Sequence, residues 1–146
     1  MTFNAWPIRD VGDGNVGWIQ GRIVGTPALV APLSRRPCFY WSHLVPGRPD
    51  LTAGVAELLV DDGTGLAIVT LAGARVQFDY DHVRDDQREG ILGPDELIAV
   101  HGHCLWERDP DPNRARLYRD PLPRRLRISQ TRTVRLWISE DVPERP

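Results

Sequence analysis

Apolar and polar positions alternate along most of this chain, and that alternation predicts strands rather than helices. Val16–Gly25 is the first, with Ile19 and Ile23 on one side and Trp18, Gln20 and Arg22 on the other. Thr26–Pro37 reads as a proline-punctuated connection. Cys38–Val45 is the second strand, dense in Phe39, Tyr40 and Trp41, which suit a pleated, half-buried surface. Pro46-Gly47-Arg48-Pro49 breaks it. Val55–Val60 and Leu66–Leu71 flank Asp61-Asp62-Gly63-Thr64-Gly65, a hairpin signal because Gly supplies the positive φ that such turns need. Gly73–Tyr80 extends or repeats that pairing. Leu97–Glu107 alternates most clearly: Ile98, Val100, Gly102, Cys104 and Trp106 on one side, His101 and His103 on the other. Arg124–Ser129 and Thr133–Ser139 are the last strands, with Leu126, Ile128, Val134, Leu136 and Ile138 pointing inward.

Asp81–Gly90 departs from this rhythm. It is polar, with Asp81 placed to cap a helix start and Gly90 to close its end. It has almost no apolar stripe, so the expectation is a short helix on the surface. Five or more strands with one short helix between the third and fourth give an all-β, OB-like Greek-key small β-barrel. An SH3-like barrel or a small sandwich is the alternative. The expected organisation is a loose lead-in over 1–15, one barrel domain over 16–140 and a frayed tail over 141–146.

Composition agrees with short strands. Thirteen Gly and thirteen Pro in 146 residues punctuate turns and break helices, while a 41% hydrophobic share supplies a core for one domain. The net charge of −2 is unevenly spread. No acid lies between Asn15 and Pro49, Asp50–Glu96 is strongly acidic, and eight arginines between Arg114 and Arg135 stand against Asp120 alone. Every basic side chain is Arg. Two cysteines, Cys38 and Cys104, do not make a disulfide scaffold. Arg9, Asp10 and Asp13 interrupt any leader-like apolar run, and no stretch approaches the ~20 apolar residues that span a bilayer. The expected location is a reducing cytoplasm.

Candidate chemistry is sparse. Gly12-Asp13-Gly14-Asn15-Val16-Gly17 matches the dinucleotide fingerprint as a string, but a strand follows it where the fingerprint needs a helix. His101 and His103 would give half of a metal site, and nothing local supplies the other ligands. No Ser stands in a nucleophile elbow, and the thiols have apolar neighbours. Asp61-Asp62 and Asp85-Asp86 read as solvated turns. No catalytic residue, metal or cofactor is therefore assigned, and the expectation is a binding module rather than an enzyme. One nucleic-acid reading competes: Arg125, Arg127, Arg135 and Trp137 would line an outward face, offering charge for phosphates and a ring for base stacking.

A denser signal lies near the front. Gly21-Arg22-Ile23-Val24-Gly25, then Leu29 and Ala31-Pro32-Leu33-Ser34, then Arg36-Pro37-Cys38-Phe39-Tyr40-Trp41 resemble the start of the GIDE-type domain, also called the BAM (beside-a-membrane) domain. That domain occurs in mitochondrial RING ubiquitin ligases and their bacterial relatives. Leu59-Val60-Asp61-Asp62-Gly63-Thr64-Gly65 and Gly93-Pro94-Asp95-Glu96 before Ile98-Ala99-Val100-His101-Gly102 are similar too. The resemblance covers about Gly17–Trp106, with weaker support to Ser129. It implies a β-barrel that recruits a protein partner, with Cys38, Phe39 and Tyr40 at core or rim positions. This chain carries no RING and no transmembrane helix, so ligase activity does not carry over. Arg35, Arg36, Tyr40 and Trp41, where the motif is densest, are the partner-binding candidates.

Overall fold

The computed structural model describes residues 5–77, 79–110 and 124–140. Its centre is a closed five-stranded barrel. Strand β1 (Val16–Val24) pairs with β6 (Glu57–Asp61), β6 with β7 (Leu66–Thr70), β7 with β12 (Arg124–Ser129), and β12 with β11 (Leu97–Arg108). The antiparallel pairing of β11 with β1, from Val16↔His103 to Arg22↔Leu97, closes the ring. The β7–β12 pair is parallel and the rest are antiparallel. This is an OB-like small barrel, all-β as the alternation implied.

The alternation also sets the core. Ile19 and Ile23 of β1, Leu58 and Val60 of β6, Ile98 and Val100 of β11 and Leu126 and Ile128 of β12 point inward and are essentially unexposed. Leu136 and Ile138 join them, whereas Val134 is only half-buried. Gly21 is required where β1 crosses β6: a Cβ there would stand 2.8 Å from the Asp61 carbonyl oxygen and 2.8 Å from Val60 Cγ1. Strand β13 (Trp137–Ser139) pairs with Ala99–His101 of β11, on the side where β12 takes up the rest of that strand, and β8 (Arg75–Gln77) pairs in parallel with β13. Gly73–Tyr80 therefore does not extend the β6–β7 hairpin.

Two insertions build a second sheet. One, between β1 and β6, holds the short ladder of β2 (Leu29–Val30) with β3 (Pro37–Cys38), then β4 (Tyr40–Leu44) and β5 (Leu51–Gly54). The other, between β8 and β11, holds β9 (His82–Arg84) and β10 (Gln87–Leu92). They combine in the order β5-β4-β10-β9.

The surface helix expected over Asp81–Gly90 is therefore corrected to a hairpin. Without an apolar stripe a helix there has nothing to bury. In extended form every second side chain faces one way, which brings Glu89 to a buried site, and the pair Asp85-Asp86 makes the turn with Asp85 at φ +54°.

The lead-in is also tighter than its polar sequence suggested. Ile8, in a 3₁₀ turn (Ile8–Asp10), is fully buried, and the Trp6 N–H donates to the Trp18 carbonyl at 2.9 Å. Asp62 in the hairpin turn accepts the Ile8 N–H at 2.8 Å as well as those of Thr64 and Gly65. Residues 1–4 and the tail 141–146 lie outside the described residues.

Candidate functional site

The motif-dense segment is organised by Glu89. Its side chain is fully buried. One carboxylate oxygen accepts the Leu33 N–H at 2.6 Å. The other accepts the Ser34 N–H at 3.2 Å and the Ser34 hydroxyl. Arg36 Nη2 lies 3.8 Å from Glu89 and makes a two-point pair with Asp81, at 3.1 Å to each oxygen. The turn 31–36 takes this shape because Ala31 bonds back to Arg36 and Arg35 takes φ +62°. Burial would raise the Glu89 carboxyl, but the Ser34 and Leu33 donors and the Arg36 charge outweigh it and hold the pKa below the usual value. The Pro-Leu-Ser and Arg-Pro-Cys pieces thus serve to close a turn over a buried carboxylate.

The four partner-binding candidates separate accordingly. Arg36 is engaged by Asp81 and Glu89. Tyr40 packs against the core and lies against Gly54, where an added Cβ would come within 2.4 Å of its ring. Arg35 is exposed at the tip of the turn. Trp41 is half-exposed and shares the outer face of the second sheet with Ala53 and Ile91, its direct cross-strand neighbours. Leu51, one row on, is 57% exposed. The turn carrying Arg35 lies over Glu89 on this same face, one side-chain row from Ile91. The result is a half-open apolar patch of Leu51, Ala53, Trp41 and Ile91 beside Arg35. Among the described residues no carboxylate lies within ion-pairing distance of Arg35 or of Arg84, which is exposed on the same face. Sequence reasoning found Trp41 and Arg35 but missed Leu51 and Ala53, because Leu51-Thr52-Ala53-Gly54 is too short and mixed to signal a strand.

The nucleic-acid candidates separate too. Arg125 and Arg127 both bind Glu107 across the β11–β12 pair, at 2.9 Å for Arg125, and Arg127 also reaches Thr70 at 2.6 Å and Glu57 at 3.3 Å. Their charges are absorbed within the barrel wall. Hydrogen bonds from these two arginines hold the Glu107 carboxyl below its usual pKa against the opposing effect of burial. Arg135 is exposed, and Trp137 sits half-exposed with the Arg75 guanidinium 5.1 Å from its ring centroid.

His101 and His103 project to the outer side of β11 as the alternation required. His101 packs against Trp18, centroid to centroid 5.1 Å, and its Nδ1 is buried with no hydrogen-bond partner among the described residues. Among the described residues, no three His, Cys, Asp or Glu side chains gather closely enough to hold a metal ion. Burial pushes the Cys104 thiol up to about 11 and raises Cys38 as well, so both are poor nucleophiles at neutral pH. No helix of the described residues is long and apolar enough to cross a membrane.

No protein-family model, curated protein or solved structure matches this chain. Its function is therefore argued from the site itself.

Proposed function

We propose that this chain is a non-catalytic interaction module of the GIDE/BAM-like kind, working by protein–protein contact through the outer face of its second sheet. The observation that carries the reading is the contrast between two neighbouring rows of that face. At Glu89 the turn 31–36 covers the sheet, whereas one row away Trp41, Ile91 and Ala53 stay half-open, flanked by the exposed Leu51 on the edge strand of Glu89's own row. An aromatic ring set among small and aliphatic side chains is the composition of an interface centre. Arg35 at its margin favours a partner with an apolar centre and an acidic rim.

Affinity capture from lysate of the native cell, comparing the wild-type chain with a Trp41→Asp/Leu51→Asp variant, tests this. Both positions are at least partly exposed, so the variant keeps the barrel, which circular dichroism checks. Proteins held by the wild type and released by the variant are expected. If the two chains capture the same set, this face is not the contact.

A further inference from the structure

A second surface lies on the barrel wall itself. Pairing in register puts Trp18 of β1 opposite His101 of β11, His101 opposite Trp137 of β13, and Trp137 opposite Arg75 of β8. The four side chains form one row across four strands, about 14 Å long at ordinary strand spacing. Trp18 and His101 touch, and Arg75 lies over Trp137.

The end of this row at Arg75 is cationic. Arg135 stands two positions before Trp137. Arg132 and Arg135 both line a surface hollow of about 360 Å³ formed by residues 130–135. Arg75, Arg132 and Arg135 are all exposed, and among the described residues no carboxylate lies within ion-pairing distance of any of them. They differ in this from Arg125 and Arg127, which pair with Glu107, Arg127 also with Glu57. Acids do occur on the wall, but elsewhere: Glu140, bonded to the Asp79 N–H at 3.1 Å, and Glu96 gather past the far end of β13.

We propose that this face binds single-stranded nucleic acid, with phosphates on Arg75, Arg132 and Arg135 and bases against Trp137 and His101. Unpaired guanidinium groups beside a row of rings match both halves of such a ligand, its regular charge and its sequence-independent π-faces. The acids beyond Ser139 limit the phosphate track to the arginine end. The surface is separate from the Trp41 patch, and neither proposal depends on the other.

The test is fluorescence anisotropy with a labelled single-stranded oligonucleotide of about ten nucleotides, within the range one OB fold covers. Binding at low salt is expected, with a log–log salt slope near −2 for three phosphate contacts on a single strand. Arg132→Ala/Arg135→Ala, two exposed changes that leave the fold intact, should bring the slope to roughly −0.7. Trp137→Leu should weaken binding by about fivefold or more, and Arg127→Ala should leave it unchanged. The proposal is overturned by absence of binding at low salt. It is equally overturned by a slope that Arg132→Ala/Arg135→Ala does not change, or by an equal loss on Arg127→Ala.

Discussion

Glu89 accepts the backbone N–H of Leu33 at 2.6 Å across 56 positions of sequence, and this bond ties the turn 31–36 of one insertion to the second, beside the β4–β10 ladder that joins them in the second sheet. The carboxylate is buried, so its stability rests on every donor being present. Glu89→Ala would leave the Leu33 and Ser34 N–H groups and Arg36 without their acceptor. A loss of roughly 3–5 kcal/mol in denaturant unfolding is expected for Glu89→Ala. Glu89→Gln, which turns a donor group toward donors, should lose about 1–3 kcal/mol. A change within 0.5 kcal/mol, the ordinary scatter of a surface substitution, would mean that the turn holds its shape without Glu89.

Gly21 gives a packing prediction independent of charge. The approach of β1 to β6 leaves no room for a methyl group, because the Asp61 backbone carbonyl stands as close as the buried Val60 side chain and neither can move aside. Gly21→Ala should cost about 1–3 kcal/mol. Gly14→Ala serves as a contrast: nothing stands within 4 Å of its Cβ position, and only its φ of +83° opposes the change. Thermal unfolding of the two variants separates crowding from backbone strain.

Arg127 predicts that paired arginines of the barrel wall matter for stability. Arg127→Ala removes bonds to Glu107, Thr70 and Glu57 at once. The site is partly exposed, so solvent screens part of the effect and a loss of about 1–2 kcal/mol is expected. Adding Glu107→Gln to Arg127→Ala should cost less than the sum of the two single changes, because the Glu107 carboxylate would no longer need its partner.

Stability should also fall on the alkaline side. Burial pushes the Glu140 carboxyl from 4.5 up to about 8, and the Glu96 and Asp79 charges act the same way against the Asp79 N–H it accepts. A carboxyl raised in the folded state favours folding below 4.5, and that contribution is lost as pH rises to about 8. Glu89 and Glu107, both lowered, act oppositely: their contribution is present above the usual carboxylate range and lost as pH falls through their lowered values. Thermal midpoints measured from pH 5 to 9 should therefore decline toward the alkaline end in the wild type. Glu140→Gln should flatten that decline and leave the acid limb unchanged.

Much of the barrel was legible because its strands have one face in the core and one toward solvent. Leu97–Arg108 and Arg124–Ser129 were read almost to the residue, since alternation of the Ile98–Val100 kind leaves one solution. The β9–β10 hairpin was not legible. Within the polar run 81–90 the buried side chain is Glu89, and a carboxylate there gives no apolar signal to place it inside. Strand β5 was missed because its four residues are mostly exposed, and β8 was mispaired because the partner it needs, β13, lies some 60 positions later. The candidate site was half legible. Trp41 and Arg35 stood out by type, but the separation of paired from unpaired arginines depends on where Glu107 and Asp81 lie in space.

The parallel β7–β12 pair has a consequence for how the chain reaches this shape. Val69 meets Ile128 across a gap of more than fifty positions, and until β12 is in place the ring stays open, with β7 and β11 each presenting an unsatisfied edge. High contact order of this kind slows folding, and during synthesis no barrel can form until the β12 segment has left the ribosome. Until then two apolar strand edges are available to neighbouring chains, and expression at high concentration should favour aggregation over slow closure.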